Sequence, residues 1–536
     1  MDVKGLNTII SSLSCNTTLV LVFTTVALVV YWMNSRRHRF VGWEKFGVKH
    51  VHVGIQQAPA VLLKNLIKEH GSTVGIVRDI PVLVTRDLDL LKQVMVKDFN
   101  NFVNRNDNLT TRSLVGKGVF FLRDYDWKRI RQLMSPSFST GKLKRISSHV
   151  QEAADRLSRA FEKCAETESK IKLLHTTGQY STSIIAKTAF GVDADSIGEE
   201  EDDQFTHAAK NIFKKRSKTE FFFLLFLFRF RQFRRLLVYT FGLYFPDPCN
   251  KMSSVYLNAI LKESIADREV AERRGSRHVN NDFLQNLVSI KVASEDAASV
   301  QSTSEKSTST DSQKLPVSSK KTITTDEVIA QSLITILAAY ETTASTLQLC
   351  LYKLAQNPDI QERVFHEILD IVEHENPTHE ELAKLLYLEQ VVNETLRMFP
   401  PLPFITRDAR ESRTYGTVTI PAGSAVYIPI TEVHRDPTHY PDPEVFDPDR
   451  FNEENKAKRN PMAFMPFGQG PRICIGMRLA YLELKTALVK VLRKVKVELD
   501  DTTVPRKSED ITMNYQAFPR PEKPIELAVK LRENQI

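Results

Sequence analysis

The chain has 536 residues, a formal net charge of +8 at pH 7 and a pI of about 9.0. Its 42% of hydrophobic and 26% of charged residues are typical of a globular protein, and its five scattered cysteines, with no Cys-x-x-Cys pair, argue against a disulfide framework and a structural zinc site. No long basic run is present, so nucleic acid is not an expected partner, and the positive charge indicates solvated faces, an anionic membrane surface or an acidic protein partner.

Residues 1–40 predict a lumenal N-terminus, a transmembrane anchor and a basic stop-transfer segment. The apolar run at 19–33 would reach only about 22 Å as a helix, so a helix that crosses a hydrocarbon core of about 30 Å is expected to begin near Ser14. Arginines follow at 36, 37 and 39, and the positive-inside rule then places the rest of the chain in the cytoplasm. A cleaved signal peptide is the alternative, although no small-residue cleavage site follows the run.

Residues 41–536 are expected to form one domain. The region 49–102 mixes short β-rich runs with helical stretches, and the region 127–287 has mostly helical spacing. Residues 221–233 are rich in Phe and Leu but carry arginines, which predicts a buried core helix or, alternatively, a second and shallow membrane contact. Residues 292–321 are rich in Ser, Thr and Lys, which predicts a disordered loop because such a segment buries too little apolar surface.

The second half of the chain carries clear helix boundaries. The capping box Thr324-x-x-Glu327 opens an apolar stretch of about thirty residues that Asn357-Pro358 ends, which predicts a long helix through the core. A second capping box, Thr378-x-x-Glu381, opens a helical region that ends at residues 400–401. Short strands, a Pro- and Asp-rich meander at 435–451 and a helix at 475–495 are expected to follow.

The segment 467–476 has the sequence FGQGPRICIG and joins a loop to a helix. Its glycines allow the backbone to approach a flat ligand closely, and a cysteine at a helix N-terminus is expected to favour the thiolate. Phe467 is expected to shield the sulfur of Cys474 from water. A buried free cysteine is the structural alternative.

The pattern Phe467-x-x-Gly470-x-Arg472-x-Cys474-x-Gly476 resembles the haem-binding signature of the cytochromes P-450. Further matches follow in the family's order along nearly all of the chain after the anchor. They are Trp127-x-x-x-Arg131, Ala338-Ala-Tyr-Glu-Thr-Thr343, Glu394-Thr-Leu-Arg397 before Phe399-Pro-Pro401, and Phe446-Asp-Pro-Asp-Arg-Phe451. Other strings are similar to the microsomal drug- and steroid-oxidising family 3, namely Trp127-Lys-Arg-Ile-Arg131, Ser135-Pro-Ser-Phe-Ser-Thr-Gly-Lys-Leu143, Tyr340-Glu-Thr-Thr343 and Pro521-Glu-Lys-Pro524.

The resemblance implies a mainly α fold with a minor β lobe, the helical prism of this family, carried on an N-terminal transmembrane helix. It implies haem b with Cys474 as the iron ligand. The other cofactor-binding residues that it implies are Arg105, Trp127, Arg131, Arg407, Phe467 and Arg472. Glu394 and Arg397 share a helix face, and Arg450 is expected to complete a buried structural triad with them.

Glu341 and Thr342 are implied to be catalytic, delivering protons to bound dioxygen through the hydroxyl group and water. A helical threonine that bonds back to a carbonyl is the alternative for Thr342. Ala339 stands where this family usually has glycine, and the added methyl group is expected to narrow the oxygen groove. Positions that match the family's substrate-contact regions are mostly apolar, so a lipophilic substrate is expected, although each position is equally compatible with plain core. These positions are Phe120, Phe121, Leu337, Ala338, Leu402, Pro403, Phe404 and Gln516.

The expected function is a haem-thiolate monooxygenase of the endoplasmic reticulum membrane, single-pass, with its catalytic domain in the cytoplasm. Electrons from NADPH are expected to arrive through a cytochrome reductase, with cytochrome b5 as a further partner. Lys128, Arg129, Lys142 and Lys144 are candidate contacts for these partners, and ordinary helix solvation explains them equally well. The alternatives are a haem-thiolate isomerase that acts on a peroxide without a reductase, and a haem-based sensor or carrier.

Overall fold

The computed structural model of the protein describes residues 42–53, 59–77, 80–105, 114–212, 250–275, 282–304, 322–503, 511, 513–514 and 520–533. The predicted anchor at 1–40, the apolar segment 221–233 and Gln516 lie outside these residues. Within them, none of the helices has both the length and the apolar character that crossing a bilayer requires.

The described residues are mainly helical. Numbered in chain order, the helices are α1 (Pro59–His70), α2 (Leu88–Lys92), α3 (Asp124–Met134), α4 (Thr140–Glu166), α5 (Leu173–Ile185), α6 (Gln204–Lys210), α7 (Lys251–Arg273), α8 (Phe283–Ser304), α9 (Thr325–Gln356), α10 (Pro358–Ile371), α11 (His379–Lys384), α12 (Leu386–Met398), α13 (Ile430–His434), α14 (Glu453–Lys458) and α15 (Met477–Lys494).

The strands form a small β part. They are β1 (His50–Val51), β2 (Thr73–Val77), β3 (Pro81–Thr85), β4 (Ile171–Lys172), β5 (Ile405–Asp408), β6 (Arg413–Tyr415), β7 (Val418–Ile420), β8 (Ala425–Ile428), β9 (Val495–Glu498), β10 (Met513–Asn514), β11 (Arg520–Pro521) and β12 (Glu526–Leu531). The largest sheet has the strand order β1-β2-β3-β8-β5, and β3 pairs with β8 in parallel, residues 82–84 against 425–427. A second sheet has the order β4-β12-β9, while β6 pairs with β7 and β10 with β11.

Helix α9 is the axis of the helical part. It packs against α5, α12 and α15, while α15 also packs against α4. Its first half lies in an apolar cluster with α7 and α8 that includes Val328 and Leu333, and its second half lies in another with α4 and α15 that includes Leu347 and Leu351. Between these halves, Ala338 is exposed and Thr342 is only partly buried. A functional groove is therefore expected at this point of an otherwise buried helix.

Both predicted capping boxes are confirmed. The hydroxyl of Thr324 accepts a hydrogen bond from the N–H of Glu327 while the Glu327 carboxylate accepts from the N–H of Thr324, and Thr378 and Glu381 repeat the arrangement. Helix α9 contains 32 residues and ends directly before Asn357, where the sequence predicted its end.

The predicted loop at 292–321 is wrong for its first part, because helix α8 continues to Ser304. The helix is held by tertiary contacts that composition does not reveal. Val292 is buried in the core, and the ammonium of Lys291 lies 2.9 Å from Glu269 and 2.8 Å from Glu295. Residues 305–321 lie outside the described part of the chain, so the prediction for them stays open.

Candidate functional site

The segment 467–476 forms a tight loop directly before α15. The N–H of Cys474 donates to the carbonyl of Phe467 over 2.9 Å, and the N–H of Ile473 donates to the carbonyl of Gly470 over 2.9 Å. Gly470 has φ +73°, and a Cβ at this position would overlap the carbonyl oxygen of Met95. Only glycine therefore lets the loop turn here and lie against residues 93–97.

The side chain of Cys474 is accessible although many protein atoms lie around its sulfur. We interpret this combination as a thiol that lines a concave surface. Burial raises the pKa of the Cys474 thiol, while the N–H groups of Gly476 and Met477 and the charges of Arg131 and Arg105 lower it. The helix-terminal stabilisation of a thiolate that the sequence predicted is thus present, but burial outweighs it. A metal cation bound to the sulfur would supply the remaining stabilisation, because a coordinating thiol loses its proton.

Arg105 near this cysteine, and Arg407 near Arg105, have buried guanidinium nitrogens with unmet hydrogen-bonding capacity. Burial lowers the pKa of Arg105 to about 10, with Cys474 opposing and Arg131 adding to the effect, and burial together with Arg105 lowers the pKa of Arg407 to about 9. The Nε and Nη1 atoms of Arg105 and the Nε atom of Arg407 have no hydrogen-bond partner among the described residues. Buried cations in this condition call for an anion beside them.

Helix α3 is fastened to the cysteine loop by two arginines. The Nη2 of Arg131 donates to the carbonyl of Ile473 over 2.9 Å, and the Nη2 of Arg472 donates to the carbonyl of Leu122 over 2.7 Å. The guanidinium of Arg472 also lies 4.4 Å from the ring centroid of the buried Trp127. The loop and α3 therefore hold each other in place.

These features together fit an iron porphyrin. The accessible thiol of Cys474 would ligate the iron, and the guanidinium groups of Arg105 and Arg407 would neutralise the two propionate groups that such a cofactor carries. The ring of Phe467 packs 5.4 Å from that of Tyr481, on the side of α15.

The predicted oxygen-activating stretch lies in the accessible part of α9, between its two buried halves. The hydroxyl of Thr342 donates to the carbonyl of Ala338 over 2.6 Å, which is the back-bond that the sequence offered as the alternative reading. This bond uses the hydroxyl proton but leaves the lone pairs of the oxygen available as acceptors. Glu341 is buried beside it, with its Oε1 3.5 Å from the Nη1 of Arg520 on β11. Burial raises the pKa of Glu341, and Arg520 lowers it.

The structure brings the predicted triad together. The Nε and Nη2 atoms of Arg397 donate to the two carboxylate oxygens of Glu394 over 2.6 and 2.7 Å, and both side chains are fully buried. The Nε of Arg450 lies 3.5 Å from the same carboxylate, and the N–H of Asp447 donates to it over 3.0 Å. Burial raises the pKa of Glu394, and Arg397 lowers it. The triad therefore ties α12 to the meander that leads to the cysteine loop.

Helix α13, directly before the meander, ends in a residue that the sequence analysis missed. His434 is fully buried; its Nε2 accepts a hydrogen bond from the N–H of Met465 over 2.9 Å, and its carbonyl accepts from Nη1 of Arg397. Burial lowers the pKa of His434 to about 3, so the ring is neutral. A single histidine gives no sequence signal for this support, and Arg520 on β11 was missed because a single arginine gives none either.

The predicted substrate contacts fall into two groups. Phe120 and Phe121 lie side by side with ring centroids 5.1 Å apart, and the guanidinium of Arg105 lies 4.0 Å from the ring of Phe120. Leu402 and Phe404 lie at the edge of the five-stranded sheet, both partly exposed, and Phe404 stacks on Tyr427 at 5.8 Å. The remaining three described positions differ, since Ala338 is exposed and Pro403 partly exposed, whereas Leu337 is buried in the core.

Comparison with known proteins gives one consistent result. The family model described as Cytochrome P450 matches residues 43–529. The chain is 33% identical over 472 residues to Cytochrome P450 3A41 of Mus musculus, and the match covers 87% of this chain and 86% of that protein. It is 34% identical over 477 residues to Cytochrome P450 3A2 of Rattus norvegicus, with 87% and 86% covered, and 33% identical over 461 residues to Cytochrome P450 3A12 of Canis lupus familiaris, with 85% and 84% covered.

Proposed function

Because the chain belongs to the cytochrome P450 family, and is thus a haem b monooxygenase that takes electrons from NADPH through a reductase, we propose that it inserts one oxygen atom of O₂ into a lipophilic substrate at a haem held by Cys474. A steroid, a fatty acid or a xenobiotic fits this description. The observation that carries the proposal is the accessible thiol of Cys474 near Arg105, which like its neighbour Arg407 has buried guanidinium nitrogens without a hydrogen-bond partner among the described residues.

The chain's own residues would divide the work as follows. When bound, haem with a thiolate ligand supplies the electron density that favours cleavage of the O–O bond. Cys474 ligates the iron, and Arg105 and Arg407 neutralise the propionates. Thr342 would accept a hydrogen bond at its Oγ1 from a water that carries the proton, and Glu341, one residue before it, would supply protons from a buried carboxyl group whose pKa is raised by burial.

The proposed substrate side is apolar. Phe120 is 38% exposed despite its aromatic ring, and Phe121, Leu402 and Ala338 also keep accessible surface. Apolar side chains that remain accessible inside a fold are typical of the walls of a small-molecule site. A lipophilic substrate follows from this lining, and the expected contact at Gln516 is part of the same proposal.

The proposed redox partners are an NADPH–cytochrome reductase and cytochrome b5, and the proposed location is the endoplasmic reticulum membrane with the anchor at residues 1–40. Lys128 and Lys144 are exposed on α3 and α4 and remain candidates for an acidic partner. Arg129 is a weaker candidate than the sequence suggested, because its guanidinium turns inward to the carboxylate of Glu327 and the carbonyl of Thr322. It fastens α3 to the start of α9.

The proposal is tested by reducing the purified, haem-loaded protein and adding carbon monoxide. A red-shifted Soret band is expected for the wild type, and Cys474→Ala is expected to lack it. Cys164→Ala, at a partly buried cysteine on α4, is the matched control and is expected to keep the band. A folded wild-type protein that never develops the band contradicts the proposal.

A second measurement separates oxidation from the other haem chemistries. Reconstitution with a cytochrome reductase is expected to give NADPH consumption that a lipophilic substrate stimulates, together with a hydroxylated product. An isomerase of peroxides would convert its substrate without NADPH, and a sensor or carrier would form no product. Substrate-induced spectral shifts across steroids, fatty acids and xenobiotics then identify the substrate class.

A further inference from the structure

Gln331 on α9 is fully buried, and its amide group binds a single segment of backbone. The Oε1 of Gln331 accepts a hydrogen bond from the N–H of Val119 over 2.7 Å, and its Nε2 donates to the carbonyl of Lys117 over 2.9 Å. One donor and one acceptor are therefore matched to two backbone groups that are separated by a single residue, Gly118.

The segment 114–122 lies directly on the helix at this point. A Cβ at Gly118 would lie 2.8 Å from the Cβ of Ile334, so the backbone approaches α9 more closely than a residue with a side chain allows. The far end of the segment is held by Arg472, whose Nη2 donates to the carbonyl of Leu122. Phe120 and Phe121 lie between these two attachments.

Gln331 shares its helix face with the open part of α9. Ala338 and Thr342 follow it by seven and eleven residues, close to whole numbers of turns, so the three positions line up along one side of the helix. The distance along the helix from Gln331 to Ala338 is about 10 Å. The hydrogen bonds of Gln331 thus fix the position of Phe120 and Phe121 relative to Ala338 and Thr342, which face bound oxygen in the proposed function.

We propose that Gln331 is a positioning residue for substrate: it fixes the segment 114–122 on α9 and thereby the orientation in which a bulky molecule sits above Ala338. The inference rests on the proposed function, in which Phe120 and Phe121 contact the substrate. Gln331 itself touches neither haem nor the reacting atoms. The role requires an amide, because a carboxylate cannot donate to the carbonyl of Lys117 and an aliphatic side chain leaves both backbone groups without partners.

The test compares Gln331→Glu and Gln331→Leu with a control at the same junction. The control is Asp326→Ala, which removes the exposed ion pair of Lys117 with Asp326 at 2.8 Å but leaves the amide in place. The probes are imidazole, which is small, and clotrimazole, an imidazole with three aryl rings that must rest against the walls of the site. Spectral titration of the haem-loaded proteins measures the affinity for each.

Both Gln331 variants are expected to bind clotrimazole about fivefold more weakly, as the loss of a hydrogen bond predicts, while the affinity for imidazole and the carbon monoxide band stay unchanged. Asp326→Ala is expected to match the wild type with both probes. Any product formed from a substrate with several oxidisable positions is expected to change its isomer ratio in the Gln331 variants alone.

An unchanged clotrimazole affinity in both variants overturns the inference. Loss of the carbon monoxide band in the near-isosteric Gln331→Glu also overturns it, because the residue would then be required for the haem-binding fold rather than for placing a substrate. These outcomes differ from a failure of the proposed function, which shows in the wild type as an absent carbon monoxide band or absent NADPH-dependent product.

Discussion

Two adjacent residues of α9, Glu341 and Thr342, lie in different surroundings. The carboxyl group of Glu341 is buried near Arg520, whereas Thr342 borders the open part of the helix and holds its hydroxyl on the carbonyl of Ala338. A proton held by the first residue is thus screened from solvent, while the oxygen of the second faces the groove. Ala339, with its added methyl group, lies on the same turn. The carbonyl of Ala339 accepts a hydrogen bond from the hydroxyl of Ser181 over 3.1 Å.

At the residue scale we expect the Thr342→Ala variant to retain haem but to divert electrons from product to hydrogen peroxide. Without the Oγ1 acceptor, the water that carries the proton to oxygen is no longer held in place, and general acid catalysis of this kind contributes on the order of a hundredfold or more in rate. Product formed per NADPH is therefore expected to fall by about tenfold or more, with a matching rise in hydrogen peroxide. Both are measured in the reconstituted system.

The control for that prediction is Thr346→Ala. Thr346 makes the same back-bond one turn later, to the carbonyl of Thr342 over 2.8 Å, but is buried. This variant is expected to keep the wild-type ratio of product to NADPH. A Thr342→Ala enzyme that yields as much product per NADPH as the wild type contradicts the assigned role.

At the scale of elements, the cysteine loop depends on its fit against residues 93–97. Gly470 combines a positive φ with a close approach to the carbonyl of Met95, whereas Gly423 has a similar φ of +77° with nothing within 4 Å of its Cβ position. Alanine variants at the two glycines therefore separate the free-energy cost of the backbone conformation from the free-energy cost of the contact with Met95.

We expect Gly470→Ala to displace the loop and to lower haem content severely, because both costs apply. Gly423→Ala is expected to lose about 1 kcal/mol of stability, from backbone strain alone, and to keep its haem. Haem per protein and urea unfolding measure the two effects. Equal losses in both variants would show that the contact with Met95 does not matter.

The elements also show which parts of the structure the sequence can predict. The boundaries of α9 were predictable because Thr324, Glu327 and Asn357 act locally on a few neighbouring residues. The extension of α8 was not, because Lys291 and Val292 are held by groups elsewhere in the chain.

The site shows the same division. The cysteine and its loop are contiguous in the sequence and could therefore be predicted from it. That Arg105 and Arg407 belong to the same site was predicted only through a family resemblance. Gln331 gave no signal at all, because a glutamine in a helix is ordinary and its role appears only once residues 117–119 are seen against it.

At the scale of the whole molecule, the buried triad joins segments that would otherwise separate. Arg397 is fully buried, and its charge is balanced mainly by Glu394. We expect Glu394→Ala to cost about 3–5 kcal/mol and to give protein without haem, because a buried cation is left uncompensated. Urea unfolding and the carbon monoxide band measure both effects.

The control for Glu394→Ala is Glu454→Ala, which removes an exposed pair with Lys458 and is expected to change neither quantity. Normal haem content in Glu394→Ala protein would refute the structural role of the triad.

A second buried carboxyl group gives a dependence of stability on pH. Burial raises the pKa of Glu483 on α15 to about 8, partly offset by the hydroxyl of Thr343. The folded state therefore keeps a proton that the unfolded state has already released, so this group's contribution to stability is full below about pH 4 and is lost as the pH rises towards 8.

We expect Glu483→Gln, which keeps the shape but cannot ionise, to remove a decline of up to about 1.4 kcal/mol per pH unit between pH 5 and 8. The free energy of unfolding at several pH values measures the difference. Parallel pH dependences in the variant and the wild type would exclude the raised pKa.

The order of the largest sheet has a consequence for how the chain is made. Strand β3 finds its neighbour β8 only when residues 425–427 have been synthesised, and β4 waits still longer for β12. At about 5–20 residues per second, the ribosome leaves the edge of β3 without its partner for tens of seconds. An unfinished sheet edge is a template for pairing with another nascent chain. A slower supply of the later strands, or a lack of chaperones that cover the edge of β3, is therefore expected to lower the yield of this protein.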